Sequence, residues 1–165
     1  MKEPVLIEQR LLRELQSREL TFAAAESCTG GFIAKRITDL SGASAVFRGG
    51  VVSYTNEVKR DVLGVGQDLL DEHGAVSAPV AQAMADGVRR ITGADLAVSV
   101  TGVAGPNQDD RGNEVGTVFL AVSTAQSCTV YSLHYHGDRQ EIRSQAASTA
   151  FSLLLQHLNE HQPNN

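Results

Sequence analysis

Ser27 and Cys28 stand side by side in the stretch AAAESCTGG, residues 23–31, with Glu26 before them and Thr29, Gly30 and Gly31 after. Either could attack an electrophile, but each needs a base, because a serine hydroxyl is inert at its own pKa and a free thiol is mostly protonated. The glycines would let a ligand approach the backbone. A helix starting here would present unpaired N–H groups and the positive end of its dipole, suited to a phosphate or to the oxyanion of acyl transfer. The same residues also fit a plainer role, with Ser27 as an N-cap, Cys28 as a small buried hydrophobe and the glycines as turn formers. The stretch is neither a Walker A loop nor the nucleophile elbow G-x-S-x-G.

The surrounding pattern says what would position these groups. Pro4, then Ile7, Leu11, Leu12 and Leu15, predict an amphipathic helix ending near Ser17. LTFAAA reads as a buried strand, followed by a helix carrying Phe32, Ile33, Ile37 and Leu40 and closed by Gly42. VFRGGVVSYT predicts a second strand with a bulge or close approach at Gly49-Gly50, and NEVKRDVLGV a helix capped by Asn56. Ser77 caps the next helix, with Val80, Met84, Val88 and Ile91 on one face and Gly93 as its stop. DLAVSV is the most plainly buried strand. TGVAGPNQDDRGNEVG is a long loop, TVFLAVST and CTVYSLHY a hairpin, and Asp138 with Glu141 a capping box opening a helix striped by Ile142, Ala146, Ala150, Leu154 and Leu158. The tail EHQPNN should fray. The expectation is one α/β domain over residues 1–165, a three-layer α/β/α sandwich on a mixed sheet. Residues 26–31 then sit at the carboxyl end of a strand, where open α/β sheets hold ligands.

Composition narrows the chemistry. At 165 residues and 42% hydrophobic side chains, the chain suits one core. A net charge of −5 disfavours nucleic-acid binding. No apolar run approaches the roughly 18 to 20 residues of a membrane span, and MKEPVLIEQR is too charged for a signal peptide, so the expectation is a cytoplasmic protein without membrane contact. Two cysteines without CxxC, and His134 and His136 without a third ligand, indicate no metal site.

AESCTGG, FRGGVVSYTNEVK, GAVS, and TGVAGP followed by VGTV occur in that order over Ala25 to Val118. The combination closely resembles the CinA C-terminal domain family, whose standalone members include nicotinamide mononucleotide amidohydrolases of the PncC type. The resemblance implies Ser27 as nucleophile, Lys59 as general base, Tyr54 as a hydroxyl associated with them, Thr101 as a further active-site hydroxyl and Arg139 as a substrate-binding arginine. Physical chemistry is consistent with these roles. A lysine acts as a base only when neutral, and burial or a helix N-terminus lowers its pKa. Tyr54 could pass a proton between Lys59 and Ser27, or be a surface aromatic. Thr101 and Gly102 close the buried strand at the crevice end. Arg139 and Arg143, four apart, could clamp a phosphate or pair with Asp138 or Glu141. Glu26 could face the pyridinium ring, or hold Lys59 or a backbone N–H.

The implied reaction is hydrolysis of the carboxamide of nicotinamide mononucleotide, with no cofactor and with the oxyanion held by N–H groups of Cys28 to Gly31 or by Thr101. A homodimer is implied as well. Where family members often carry Lys-Pro before the Val-Gly-Thr strand, this chain has Asn113-Glu114, preceded by Asp109 and Asp110. That change leaves open a nucleotide-binding or regulatory paralogue without turnover, and Cys28 leaves open a thiol hydrolase.

Overall fold

The computed structural model describes residues 4–161. Five strands form one sheet in the order β2-β1-β3-β4-β5, with β1 (Phe22–Glu26), β2 (Phe47–Val52), β3 (Leu96–Gly102), β4 (Thr117–Ser123) and β5 (Cys128–His134). β1 runs parallel to both β2 and β3, and β4 and β5 continue the sheet antiparallel. The sheet is mixed because the β4–β5 connection is a tight turn, whereas each parallel step needs a helical crossover.

Helices α1 (Ile7–Ser17), α2 (Phe32–Thr38) and α6 (Arg139–Glu160) cover one face, and α5 (Ala78–Thr92) with the segment leading to it covers the other. β1 shows how the layers are built. Phe22 and Ala24 point to the core with Leu15, Ile37, Phe151 and Leu154, while Ala23 and Ala25 point to Met84, Val88 and Leu63. Small residues on β1 let both helical layers come close. Gly50 serves the same end on β2, since a Cβ there would lie 2.6 Å from the Ala24 carbonyl oxygen. Gly87 lets α5 lie against the backbone of Leu63, where any side chain would collide.

The three-layer expectation holds, with local differences. The lysine helix α3 covers only Asn56–Asp61 and is capped by Thr55, whose Oγ1 accepts from Val58 N at 3.4 Å, rather than by Asn56. A further short helix, α4 (Gln67–His73), follows it. Its seven residues, set off by Gly64 and Gly66, carry only Leu69 and Leu70 as apolar side chains, which makes no helical stripe. α2 stops at Thr38, and Gly42, at φ +90°, instead opens a single 3₁₀ turn, Ala43–Ala45. Ser77 occupies the N-cap position of α5, but its hydroxyl donates to the Gly74 carbonyl rather than capping the helix. Ile91 lies off the buried stripe at 48% exposure. The Asp138–Glu141 capping box forms as read, with reciprocal bonds of 2.9 and 2.7 Å. Of the tail expected to fray, Glu160 ends α6 and the last four residues lie outside those described.

Candidate active site

Ser27 leaves the carboxyl end of β1, and its N–H continues the sheet ladder by donating to Val100 O at 2.9 Å. The chain then turns sharply. Gly30 and Gly31 take φ of +59° and +100°, conformations that only glycine adopts without strain, and Gly30 N donates to Ser27 O at 3.1 Å. Among the described residues, no backbone carbonyl accepts from the amide of Cys28.

The turn is braced from two sides. Glu26, 1% exposed, places its carboxylate on the first amides of α2, accepting from Ile33 N at 2.8 Å and Ala34 N at 3.1 Å. It acts as a remote N-cap, so of the readings open to it the structure selects the backbone partner and not a cationic ring or Lys59. Arg143 reaches across from α6 and donates from Nε to Cys28 O and from Nη2 to Thr29 O, both at 3.0 Å. Its guanidinium is spent on these carbonyls, so it is not half of a phosphate clamp with Arg139.

Lys59 approaches from α3. The helix is short and amphipathic in a single respect, for Lys59 is its one buried residue, at 1% exposure. Nζ lies 2.9 Å from Ser27 Oγ and donates to Ser53 O at 2.7 Å. Lys59 forms no ion pair among the described residues. Burial pushes the amine down to about 8, against a small opposing pull from the Cys28 thiol. A neutral amine with one N–H on the Ser53 carbonyl has its lone pair free for the Ser27 hydroxyl proton. Burial drives the Cys28 thiol the other way, up to about 11, which leaves it protonated at neutral pH and a poor nucleophile.

Ser27, Lys59, Tyr54, Thr101, Gly102 and Arg139 line one pocket of about 230 Å³, and Cys28 contributes to its wall. Two roles change within it. Tyr54 follows β2 instead of ending it, is 57% exposed, and holds its hydroxyl at the mouth, where Arg139 Nη2 donates to it at 2.9 Å. It therefore does not stand between Lys59 and Ser27, which meet directly. Thr101 donates its hydroxyl to Ala75 O at 2.7 Å, so it can accept from a ligand but has no proton left for an oxyanion. Arg139 Nη1 donates to Gly105 O at 2.6 Å.

Thr29, Gly30 and Gly31 are not part of the pocket lining. Thr29 is fully buried, and a Cβ on Gly30 or Gly31 would meet Arg143 or Val52 rather than a ligand space. The glycines serve the turn. The altered loop also stays clear, since none of residues 107–114 lines the pocket, and Asp109 is occupied by Asn113, accepting from its N at 2.8 Å and its Nδ2 at 2.7 Å. Ser53 and Ala75 are functional positions that residue types alone did not reveal, because both act through backbone carbonyls. Ala75 lies in the GAVS motif, which is the signal that could have pointed to it. Among the described residues no cluster of three or more metal-ligating side chains occurs.

The model of the CinA C-terminal domain matches residues 5–158. The chain is 51% identical over 138 residues to a CinA-like protein of Geotalea daltonii and 49% identical over 152 residues to one of Geobacter sulfurreducens. These alignments take in 84% and 92% of this chain but 33% and 37% of those proteins, so the chain spans about a third of the length of the curated relatives it matches. Among solved structures, a competence-damaged protein (CinA) superfamily member from Klebsiella pneumoniae superposes with a TM-score of 0.91 at 32% identity, covering 93% of this chain and 96% of that one. A competence/damage inducible protein from Agrobacterium tumefaciens gives 0.89 at 39% identity, covering 96% and 99%.

Proposed function

The chain belongs to the CinA C-terminal domain family, and from that premise we propose that it hydrolyses the carboxamide of nicotinamide mononucleotide to nicotinic acid mononucleotide and ammonia, a step of pyridine nucleotide recycling. The observation that carries the reading is the buried contact of 2.9 Å between Ser27 Oγ and a lysine amine that has no ion-pair partner among the described residues.

Ser27 Oγ attacks the amide carbon as its proton moves to Lys59 Nζ. The oxyanion that forms meets the open Cys28 amide at the head of the turn braced by Glu26 and Arg143. Collapse of the tetrahedral species breaks the C–N bond, and the ammonium of Lys59 gives its proton to the departing ammonia. A water then attacks the ester carbon, Lys59 accepts its proton, and that proton returns to Ser27 as the acid leaves. At the mouth, Arg139 is the cation available to the substrate phosphate, releasing the Tyr54 hydroxyl or the Gly105 carbonyl to do so. A homodimer and a cytoplasmic setting accompany this reading; among the described residues no helix is long and apolar enough to cross a membrane.

The test is ammonia release from nicotinamide mononucleotide by the wild-type chain and by Ser27→Ala. Release by the wild type and its loss in the variant support the reading. Tight binding of the mononucleotide by the wild type without ammonia overturns it in favour of a binding paralogue, and full activity of Ser27→Ala removes the nucleophile.

A further inference from the structure

Part of the Ser27 pocket stands on regular elements and part does not. Ser27 follows β1, Lys59 lies on α3 and Thr101 on β3, whereas Ala75 and Val76 come from the connector between α4 and α5, and Ala104 from the loop between β3 and β4. Each of these two irregular stretches also holds a side chain of the site by a carbonyl, Ala75 O accepting from Thr101 and Gly105 O from Arg139. Their spacing therefore bears on both the wall of the pocket and the aim of Arg139.

The loop is closed at its neck, where Val103 N donates to Thr117 O at 2.9 Å and Gly116 N to Val103 O at 2.8 Å. Its tip is ordered by Asp109, whose Oδ1 accepts from Arg111 N at 3.1 Å and from Asn113 N at 2.8 Å. From there the Arg111 side chain reaches the end of α4. Nη1 donates to Glu72 O at 3.1 Å, and Nη2 donates to Leu70 O at 3.2 Å and to Asp71 O. Among the described residues, no other side chain of residues 103–116 is hydrogen-bonded outside the loop. Gly74, at φ +76°, makes room for this arm, since a Cβ there would lie 2.9 Å from Arg111 Cδ and Nε.

A cation at a helix C-terminus complements the macrodipole, and that accounts for a basic residue near α4. It does not account for one guanidinium spread over three successive carbonyls from a loop 39 or more residues away in the chain, which calls for a planar fork. The carbonyls that it grips lie just before Ala75 and Val76, and the loop that carries it presents Ala104 and Gly105.

We propose that Arg111 is a positioning residue of the site, setting the connector that carries Ala75 and Val76 against the loop that carries Ala104 and the Gly105 carbonyl, without touching substrate itself. This role rests on the Ser27 pocket being where the mononucleotide is bound. Arg111 bonds to neither β1 nor α3, so its loss falls on binding and spares the step run by Ser27 and Lys59.

The test compares the full-length wild type with Arg111→Ala and Arg111→Lys by two readouts, amide hydrogen exchange followed by NMR without ligand, and kcat and KM for ammonia release from nicotinamide mononucleotide. In Arg111→Ala the amides of Gly74 and Gly116, bonded to Leu70 O and Val103 O, should exchange about tenfold faster, while that of Ser27, bonded to Val100 O, keeps its rate. KM should rise about tenfold with kcat within about twofold of wild type, the signature of lost binding that is uniform between ground and transition states. Arg111→Lys should behave as the alanine variant does, because a point charge cannot span three carbonyls. Unchanged exchange at Gly74 and Gly116, a fall in kcat with KM unaltered, or wild-type behaviour of Arg111→Lys would each overturn the proposal. Absence of ammonia from the wild type overturns the amidase reading instead, and the exchange rates then decide whether Arg111 holds the two stretches together.

Discussion

Arg36 is half-buried and Lys59 fully so, and the surroundings of these two basic side chains differ in nearly every respect. Arg36, on α2, is fully partnered. Its Nε and Nη2 hold both oxygens of Glu8 at 3.1 and 2.9 Å, its Nη1 donates to Ser148 Oγ at 2.8 Å, and its guanidinium carbon lies 5.1 Å from the Phe151 ring centroid. Burial alone would raise the Glu8 carboxyl, and the Arg36 guanidinium outweighs it, holding that group below the ordinary range. Lys59 is buried more deeply and is given only a serine hydroxyl and a carbonyl. A cation supplied with a counter-charge stays a cation and ties elements together, whereas one denied it is pushed toward the neutral form, where it can take a proton. The pattern of partners, more than burial itself, separates a structural charge from a chemical one.

The largest expected effect breaks the pair at Lys59. Lys59→Met should lower ammonia release by about 10²- to 10⁴-fold. The same variant should melt higher than wild type, since moving the amine from its ordinary value of 10.5 to about 8 corresponds to an unfavourable burial cost on the order of 3 kcal/mol. An inactive variant that also melts lower would contradict the contrast. Arg36→Met should do the opposite, leaving Glu8 buried without its partner at a cost of about 3 kcal/mol in denaturant unfolding, with kcat/KM unchanged under native conditions.

The pH dependence follows from the same amine. Below about 8 the folded-state lysine is protonated, so kcat/KM should rise about tenfold per pH unit toward that value and level off above it. Stability has its own sign: between about 8 and 10.5 the unfolded chain binds the proton that the folded chain has released, so the Lys59 contribution makes folding more favourable as pH rises through that window. A flat rate profile across pH 7 to 9 would place the base elsewhere. A smaller effect is expected at Arg143→Lys. A point charge cannot hold two carbonyls with the geometry of a planar fork, so kcat should fall about tenfold with little change in KM. Cys28→Ala should be smallest, within about threefold of wild type, because the thiol is protonated and off the reaction path.

The sheet, its covering layers and the turn after β1 were legible from periodicity and glycine placement, which are local signals. Lys59 was legible only through the family resemblance, since nothing in the spacing between residues 27 and 59 says that their side chains meet. The sequence left Glu26 open between a cationic ring, Lys59 and a backbone N–H, and Arg143 between a phosphate and a nearby carboxylate. Their actual partners are backbone groups of residues 28, 29, 33 and 34, and backbone atoms carry no residue-type signature. α4 escaped notice for a different reason, since its only apolar side chains, Leu69 and Leu70, are adjacent and show no helical spacing. Tyr54 was read within the end of the strand VFRGGVVSYT, whereas β2 stops at Val52 and leaves its hydroxyl at the rim.

Arg139 and Arg143 stand one turn apart at the head of α6, the first reaching the rim of the pocket and the second the carbonyls behind the nucleophile. A continuous helix of 22 residues, packed along α1 and the sheet, cannot shift one of these arms without carrying the other. In the proposed reaction, the backbone that anchors Arg139 would thereby keep a constant offset from the turn that carries Ser27. Such a gauge would favour molecules whose anionic group lies within the reach of one arginine side chain from that offset, and would leave much shorter or longer ones out of register with the hydroxyl.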